Sequence, residues 1–297
     1  MLTPELPYYD EPEGDALPTG INRAIDAHVH VFPDGIFSAI RDWFDTYAWQ
    51  IRYRMKSREL IAFLLDRGIS RVTALQYAHK PGMAGFLNDY MVDLVQTFPG
   101  RVYGMATVFP GEKDAVSLLN TAFDRGLTGV KLHAHVQCFD MNSPEMDPIY
   151  SVCRERGKPM VMHVGREPKS EHYRCDPYAI CRADKLEKVL KAYPGLKICV
   201  PHLGFDEIDP YRRLIREYDT LWLDTAMVLT DYFPETARGD FSDYRLDRVM
   251  YGSDYPNIPY AWDRELIWLS RAGLSADDLD QVAYRSAEGF FGHPAER

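Results

Sequence analysis

Long apolar runs are missing from this 297-residue chain. None approaches the roughly 18 residues that a membrane helix requires, and candidates such as Ile61-Ala62-Phe63-Leu64-Leu65 are short and lie within amphipathic patterns. A basic excess is missing too: 34 Lys plus Arg stand against 44 Asp plus Glu, a formal charge of −10. That balance argues against nucleic acid or an anionic membrane surface as partner, because both require a basic patch to replace counterions. Cysteine is sparse and odd in number, with Cys138, Cys153, Cys175, Cys181 and Cys199 spread along a chain too long to need disulfide staples. Cys175 and Cys181 lack the second pair that a zinc finger needs, so ordinary thiols in a reduced, cytoplasmic setting are expected. Basic residues are also absent from positions 1–20, where Pro4, Pro7, Pro12 and Pro18 alternate with acids. This lacks the charged start and apolar middle of a secretory signal and reads as an extended arm, residues 1–23.

What is present suits a large globular core: 46% hydrophobic and 26% charged residues. From position 24 onward, short β-branched runs alternate with longer stretches in which apolar residues recur at helical spacing. The strand-like runs fall at 24–28, 71–76, 101–108, 128–133, 159–164, 197–202, 220–225 and 248–252. Between them lie helical patterns such as Leu60, Phe63, Leu64 and Leu186, Val189, Leu190, Tyr193. Arg67-Gly68, Phe98-Pro99-Gly100, Arg125-Gly126 and Tyr193-Pro194-Gly195 end helices before the next run. Eight βα repeats in about 250 residues predict an α/β protein with a (β/α)₈ TIM barrel spanning 24–297 as one domain. The first βα connection, residues 31–55, is long and aromatic, with Phe37, Trp43, Phe44, Tyr47, Trp49 and Tyr53. It is expected to pack on the barrel as an insertion and to cover its mouth. Ser275 reads as the cap of a helix that runs to about Phe291 and closes the barrel.

Barrel enzymes place their chemistry at the C-terminal ends of the strands. Histidine obeys that rule here: His28 and His30 end the first run, His133 and His135 the fourth, His163 the fifth and His202 the sixth, while Asp254 follows the eighth. Residues two apart in a strand point to one side, so His28-Val29-His30 aims two imidazoles at one point. An H-x-H alone is weak, but these residues come from four strands to one rim. Imidazoles with a carboxylate suit zinc or a neighbouring first-row ion, with a position left for water. In this reading His28, His30 and His163 hold one divalent metal ion, Asp254 binds it or takes the proton of its water, and His202 orients that water or exchanges protons with it. Zinc is expected, manganese being an alternative.

The ordered set Asp26-Ala27-His28-Val29-His30, Gly129-Val130-Lys131-Leu132-His133, Met162-His163, Pro201-His202-Leu203-Gly204 and Gly252-Ser253-Asp254-Tyr255-Pro256 resembles the amidohydrolase superfamily. More narrowly it is similar to the amidohydrolase-2 group, which holds decarboxylases as well as lactone and amide hydrolases. The resemblance implies a metal-dependent barrel enzyme with His28, His30, His163 and Asp254 as ligands and His202 beside the metal's water. Some superfamily relatives bridge two metals with a carboxylated lysine near the position of Lys131; the group resembled here implies a single ion.

Arg166 follows His163 by three residues, and Lys169, Arg174 and Arg182 share its loop. Guanidinium groups recognise carboxylates, so a small organic acid is the expected substrate, although these cations could instead pair with Glu167, Glu171, Asp176 and Asp184. Lys131 and His133 at the rim, with Trp43 and Tyr255 as aromatic partners, complete the expected substrate-binding set. Two reactions fit: hydrolysis of a carboxylate-bearing cyclic ester or amide, or non-oxidative decarboxylation of an unsaturated or aromatic acid. A non-catalytic metal-binding barrel would be expected to lack part of the constellation, and none is missing. A homodimer is compatible with the sequence. His79, His172 and His293 are assigned no role.

Overall fold

The protein is described here by a computed structural model covering residues 9–166, 171–230, 232 and 240–292. Glu167, Lys169 and His293 lie outside the described residues. Eight parallel strands follow one another in chain order: β1 (Ala24–His30), β2 (Ile69–Leu75), β3 (Val102–Ala106), β4 (Gly129–His133), β5 (Met160–His163), β6 (Ile198–Val200), β7 (Leu221–Asp224) and β8 (Val249–Met250). The ring closes between β8 and β1 through backbone bonds from Ala27 N to Tyr251 O (2.9 Å), Asp254 N to His28 O (2.9 Å) and His30 N to Tyr255 O (2.7 Å). With helices alternating outside, this is the (β/α)₈ barrel read from the sequence. Each observed strand overlaps its expected run, but β6 and β8 are only three and two residues long. The residues that follow them leave the ladder to build the rim. Among the described residues, no helix is long and apolar enough to cross a membrane.

Alternation sorts the strand side chains. Val72, Ala74, Val130, Leu132, Ile198, Val200, Leu221 and Leu223 face the outer layer, where helices such as Ser57–Asp66 and Ala183–Ala192 bury Leu60, Leu64, Leu186 and Val189 against them. The opposite parity fills the barrel with Ile25, Leu75, Tyr103, Met105, Val161, Cys199, Trp222 and Met250. Tyr284, Ala287, Phe290 and Phe291 from the last helical segment, Gln281–Arg285 and Ser286–Phe291, join this interior cluster and close one end. The expected helix capped by Ser275 runs unbroken to Phe291, its α-helical parts Ala276–Asp280 and Ser286–Phe291 joined by the π-helical stretch Gln281–Arg285.

The aromatic connection forms the helix Asp34–Tyr47, then an irregular segment before Ser57. Three ties hold it to the rim after β8 among the described residues: Trp49 Nε1 donates to Asn257 O (2.7 Å), Arg52 N donates to Ile258 O (3.4 Å), and Tyr53 Oη accepts from Trp262 N (2.8 Å). The arm crosses the same ground. Glu11 accepts from Ala261 N (2.8 Å) and Arg264 Nη1 (2.5 Å), and Glu13 accepts from Tyr53 Oη (2.5 Å). Nearby, Glu265 is buried and accepts from Leu229 N (3.1 Å) and Tyr260 Oη (2.9 Å).

Two outcomes are expected. Phe290→Ala opens a cavity in the closed end and should cost about 3–5 kcal/mol of stability, read as a lower denaturant midpoint. Burial pushes the Glu265 carboxyl up to about 8. Its folded value exceeds its unfolded one, so its contribution is complete below the unfolded value and is lost as pH rises through 8. Urea unfolding between pH 5 and 8 should therefore show a loss of up to about 1.4 kcal/mol per pH unit that Glu265→Gln abolishes.

Candidate metal centre

Toward the C-terminal end of the barrel the inward positions change from apolar to ionisable. Trp222 gives way to Asp224, Val161 to His163 and Met250, across Gly252, to Asp254. On β4 the inward pair is Lys131 and His133, in register with Val161 and His163. On β1 the transition requires a bulge. Asp26 pairs with Val72 and Val29 with Ala74, so β1 carries one extra residue there. Before the bulge Ile25 and Ala27 face the interior; after it Val29 and Val31 face outward, and His28 and His30 turn inward. Gly252 permits the close approach, because a Cβ there would lie 2.9 Å from His28 Cβ.

His28 Nε2 lies 3.2 Å from His30 Nε2 and 3.4 Å from Asp254 Oδ1, and His30 Nε2 lies 2.9 Å from the same carboxylate oxygen. Ligand atoms about 2.0–2.1 Å from one ion stand about 3 Å apart, so the triangle matches the face of a coordination polyhedron. The three residues form a buried group able to hold a metal. A divalent ion fits this donor set.

Asp224 holds the group in place. Its Oδ2 accepts from His28 Nδ1 (2.9 Å), and its Oδ1 accepts from the backbone N–H of His202 (3.1 Å) and of Ala226 (3.1 Å). A carboxylate at Nδ1 keeps the proton on that nitrogen and leaves His28 Nε2 free to ligate. His202 Nδ1 donates to Ala226 O (2.7 Å), which fixes its tautomer likewise, while its Nε2 is buried and hydrogen-bonds no described residue. Both His202 (φ 58°) and Asp254 (φ 65°) sit in the left-handed region, which L-residues adopt only when their surroundings impose it. On the other side of β1, Asp26 accepts from His28 N (3.1 Å), Ser253 N (3.1 Å) and Ser253 Oγ (2.5 Å), tying β1 to the turn that carries Asp254.

Electrostatics match this arrangement. Burial, reinforced by the Lys131 charge, holds His28 well below the usual imidazole range, and burial lowers His30. Both are neutral at pH 7, as ligation requires. Burial would raise Asp254, but its contact with His30 and the neighbouring imidazoles outweigh it and hold the carboxyl below its ordinary value. Asp26, by contrast, is pushed up to about 7 by burial.

The remaining expected residues divide. His163 packs against His202 (ring centroids 4.6 Å) and His133 (4.0 Å, stacked), inside the same ring of imidazoles but outside the close three-residue group. His135 is buried 5.1 Å from His163, and Lys131 is buried below the rim. Trp43 stacks on Tyr173 (6.2 Å), whose ring in turn lies 5.7 Å from His135, so the insertion reaches the mouth. Tyr255 does not: its side chain is fully buried against Tyr53 (4.6 Å) and Phe63 (5.8 Å), and only its backbone serves the rim. Arg166 donates to Asp206 (3.0 Å), lies 3.5 Å from Glu207, and is thereby engaged by protein acids. Arg182 pairs with Asp184, and Arg174 donates to Val136 O (3.1 Å). Asp224 and Asp26 were assigned no role from the sequence. The signal for Asp224 was a carboxylate at the inward parity of a strand end, the same cue that marked His163.

Comparison with known proteins agrees with this architecture. Residues 25–293 match the protein family described as Amidohydrolase. No curated relative matches the sequence. Among solved structures, an uncharacterised TIM-barrel protein from Bordetella bronchiseptica is similar with a TM-score of 0.71 at 15% identity, covering 90% of this chain and 98% of that one. A 5-carboxyvanillate decarboxylase from Novosphingobium aromaticivorans, complexed with manganese and 4-hydroxy-3-methoxy-5-nitrobenzoic acid, gives 0.66 at 20% identity, covering 94% and 99%. A 2,6-dihydroxybenzoate decarboxylase from Rhizobium gives 0.65 at 14% identity, covering 91% and 98%.

Asp224→Asn tests the support of His28. The amide can keep its oxygen toward the two backbone donors only by turning its NH₂ toward Nδ1, which moves the imidazole proton to Nε2. The variant should fold yet bind manganese or zinc about 10–100-fold more weakly in competition with a chromogenic chelator. Equal affinity would separate Asp224 from metal binding.

Proposed function

Since this chain belongs to the amidohydrolase family and is a metal-dependent hydrolase or decarboxylase, we propose that it hydrolyses a small cyclic ester or amide at a single divalent ion held by His28, His30, His163 and Asp254. The observation that carries this reading is the meeting of His28 Nε2, His30 Nε2 and Asp254 Oδ1 within 3.4 Å of one another. When bound, a divalent ion supplies Lewis acidity toward a substrate oxygen and makes water a stronger acid. The manganese of the 5-carboxyvanillate decarboxylase structure makes that ion a natural alternative to zinc.

The chain's own residues supply the proton chemistry. Asp254, kept ionised, takes the proton of the attacking water at the oxygen not turned toward His30 and returns it to the leaving group. His202, its Nδ1 proton committed to Ala226 O, offers Nε2 as an acceptor to the same water. Asp224 keeps His28 and His202 at a fixed separation during these transfers. Trp43 and Tyr173 restrict water at the mouth, and His133 and His135 line its wall.

Decarboxylation is the second reading, and a specific observation favours it. A hydrolase for a carboxylate-bearing substrate wants a cation for that group, yet Arg166, Arg174 and Arg182 are each engaged by the protein. A decarboxylase needs no separate anchor, since the carboxylate that leaves can sit at the metal itself. The aromatic acid in the 5-carboxyvanillate decarboxylase structure suits a mouth walled by Trp43 and Tyr173.

A panel of lactones, amides and hydroxybenzoates, followed by acid release and by carbon dioxide release, decides between the two. Chelation should abolish whichever activity is found, and manganese or zinc should restore it. Asp254→Asn should lower kcat on the order of 10²–10⁴-fold with the fold intact. Activity that survives complete metal removal would overturn both readings.

A further inference from the structure

Two thiols meet at the rim beside the imidazole ring. Cys138 ends the short helix Ala134–Gln137 after β4, and Cys175 lies in the loop after β5. Both sulfurs lie on one acceptor: Cys138 Sγ is 3.5 Å and Cys175 Sγ 3.3 Å from the carbonyl oxygen of His135. Sharing that acceptor brings the two thiols side by side. Cys138 is exposed and Cys175 partly so, whereas Cys153, Cys181 and Cys199 are buried beyond the reach of an oxidant from solution. Cys138 has φ 55° and ψ 46°, a helix-ending conformation for which glycine or asparagine is the unstrained choice. A cysteine there keeps a sulfur facing the neighbouring loop.

We propose that Cys138 and Cys175 form a reversible disulfide that locks the loop after β5 to the rim after β4. The oxidant is a small dialkyl disulfide such as oxidised glutathione. The Cys138 thiol loses its proton, and its sulfur attacks one sulfur of the small disulfide, breaking that S–S bond. One small thiol leaves with the proton, and a mixed disulfide remains on Cys138. Cys175 then attacks the Cys138 sulfur, and a second small thiol departs with the second proton. Two protein thiols are oxidised to one disulfide while one small disulfide is reduced to two thiols. The order follows from the surroundings, since burial, together with the adjacent Cys138 thiol and against the Arg174 charge, pushes Cys175 up to about 12. It is a poor first nucleophile.

The lock bears on access to the barrel. Tyr173, two residues before Cys175, carries the stack with Trp43, and His172 lies 3.9 Å from Tyr47 on the same helix. Fixing this loop to the rim fixes the surface on which the insertion helix Asp34–Tyr47 rests. The inference goes beyond the proposed reaction and does not rest on it.

Full-length, manganese-loaded protein equilibrated in glutathione buffers of increasing oxidised fraction, then quenched and mapped by mass spectrometry, tests the proposal. A peptide pair joined through Cys138 and Cys175, lighter by two hydrogen atoms and restored by dithiothreitol, is expected. Cys175→Ser should instead accumulate glutathione on Cys138. Trypsin cleavage after Arg174 should slow in oxidised wild type and remain unchanged in oxidised Cys175→Ser. Wild type that stops at glutathione on Cys138, or that links Cys138 to another cysteine, would overturn the disulfide. Equal cleavage rates in the oxidised and reduced protein would overturn the lock.

Discussion

One buried carboxylate orders this rim. Asp224 accepts from the imidazole of His28 and from the backbone of His202 and Ala226, so two strands and one turn share a single rigid acceptor. A carboxylate removed from water is costly unless every lone pair is used, and that requirement removes positional freedom from its neighbours. The left-handed backbones at His202 and Asp254 are tolerated within the same network. Strain at these residues is held by hydrogen bonds to elements that the barrel has already fixed.

Charge is arranged on two scales. The chain carries −10 overall, yet the interior behind the imidazoles holds the buried Lys131. Lys131 adds to burial in keeping protons off His28, and it opposes the burial that raises the Asp224 carboxyl. Neutral nitrogen ligands, an ionised oxygen ligand and an ionised support are the states that a cation site needs before the cation arrives. The acidity of the outer surface has no part in this.

Much of this was legible in the sequence. The eight runs and the parity of their last residues placed His28, His30, His163 and Asp254 on one rim, because period-two alternation and the barrel rule need no tertiary detail. The bulge in β1 was not legible. Strict alternation sends Asp26, His28 and His30 to one face, and only the pairing with β2 shows the extra residue. Arg166 read as a substrate anchor because Asp206, its partner, is 40 residues away in the chain. Tyr255 read as substrate-facing because it adjoins Asp254, but the turn that aims the carboxylate inward sends the next side chain into the core. Asp224 went unassigned since Leu-Trp-Leu-Asp looks like the end of an ordinary buried strand.

The arm has a consequence for the order of assembly. Glu11 is bonded to Ala261, 250 residues away, and Glu13 to Tyr53 in the insertion. Contacts of such separation are entropically costly to close and form only when the intervening chain is already compact. During synthesis the side-chain partners of Glu11, Ala261 and Arg264, emerge only after the eighth strand, so the arm's ties to the rim wait until the barrel strands are made. The cover over the mouth is therefore among the last parts to be fixed, and a chain stopped short of β8 would have an open mouth and lack Asp254.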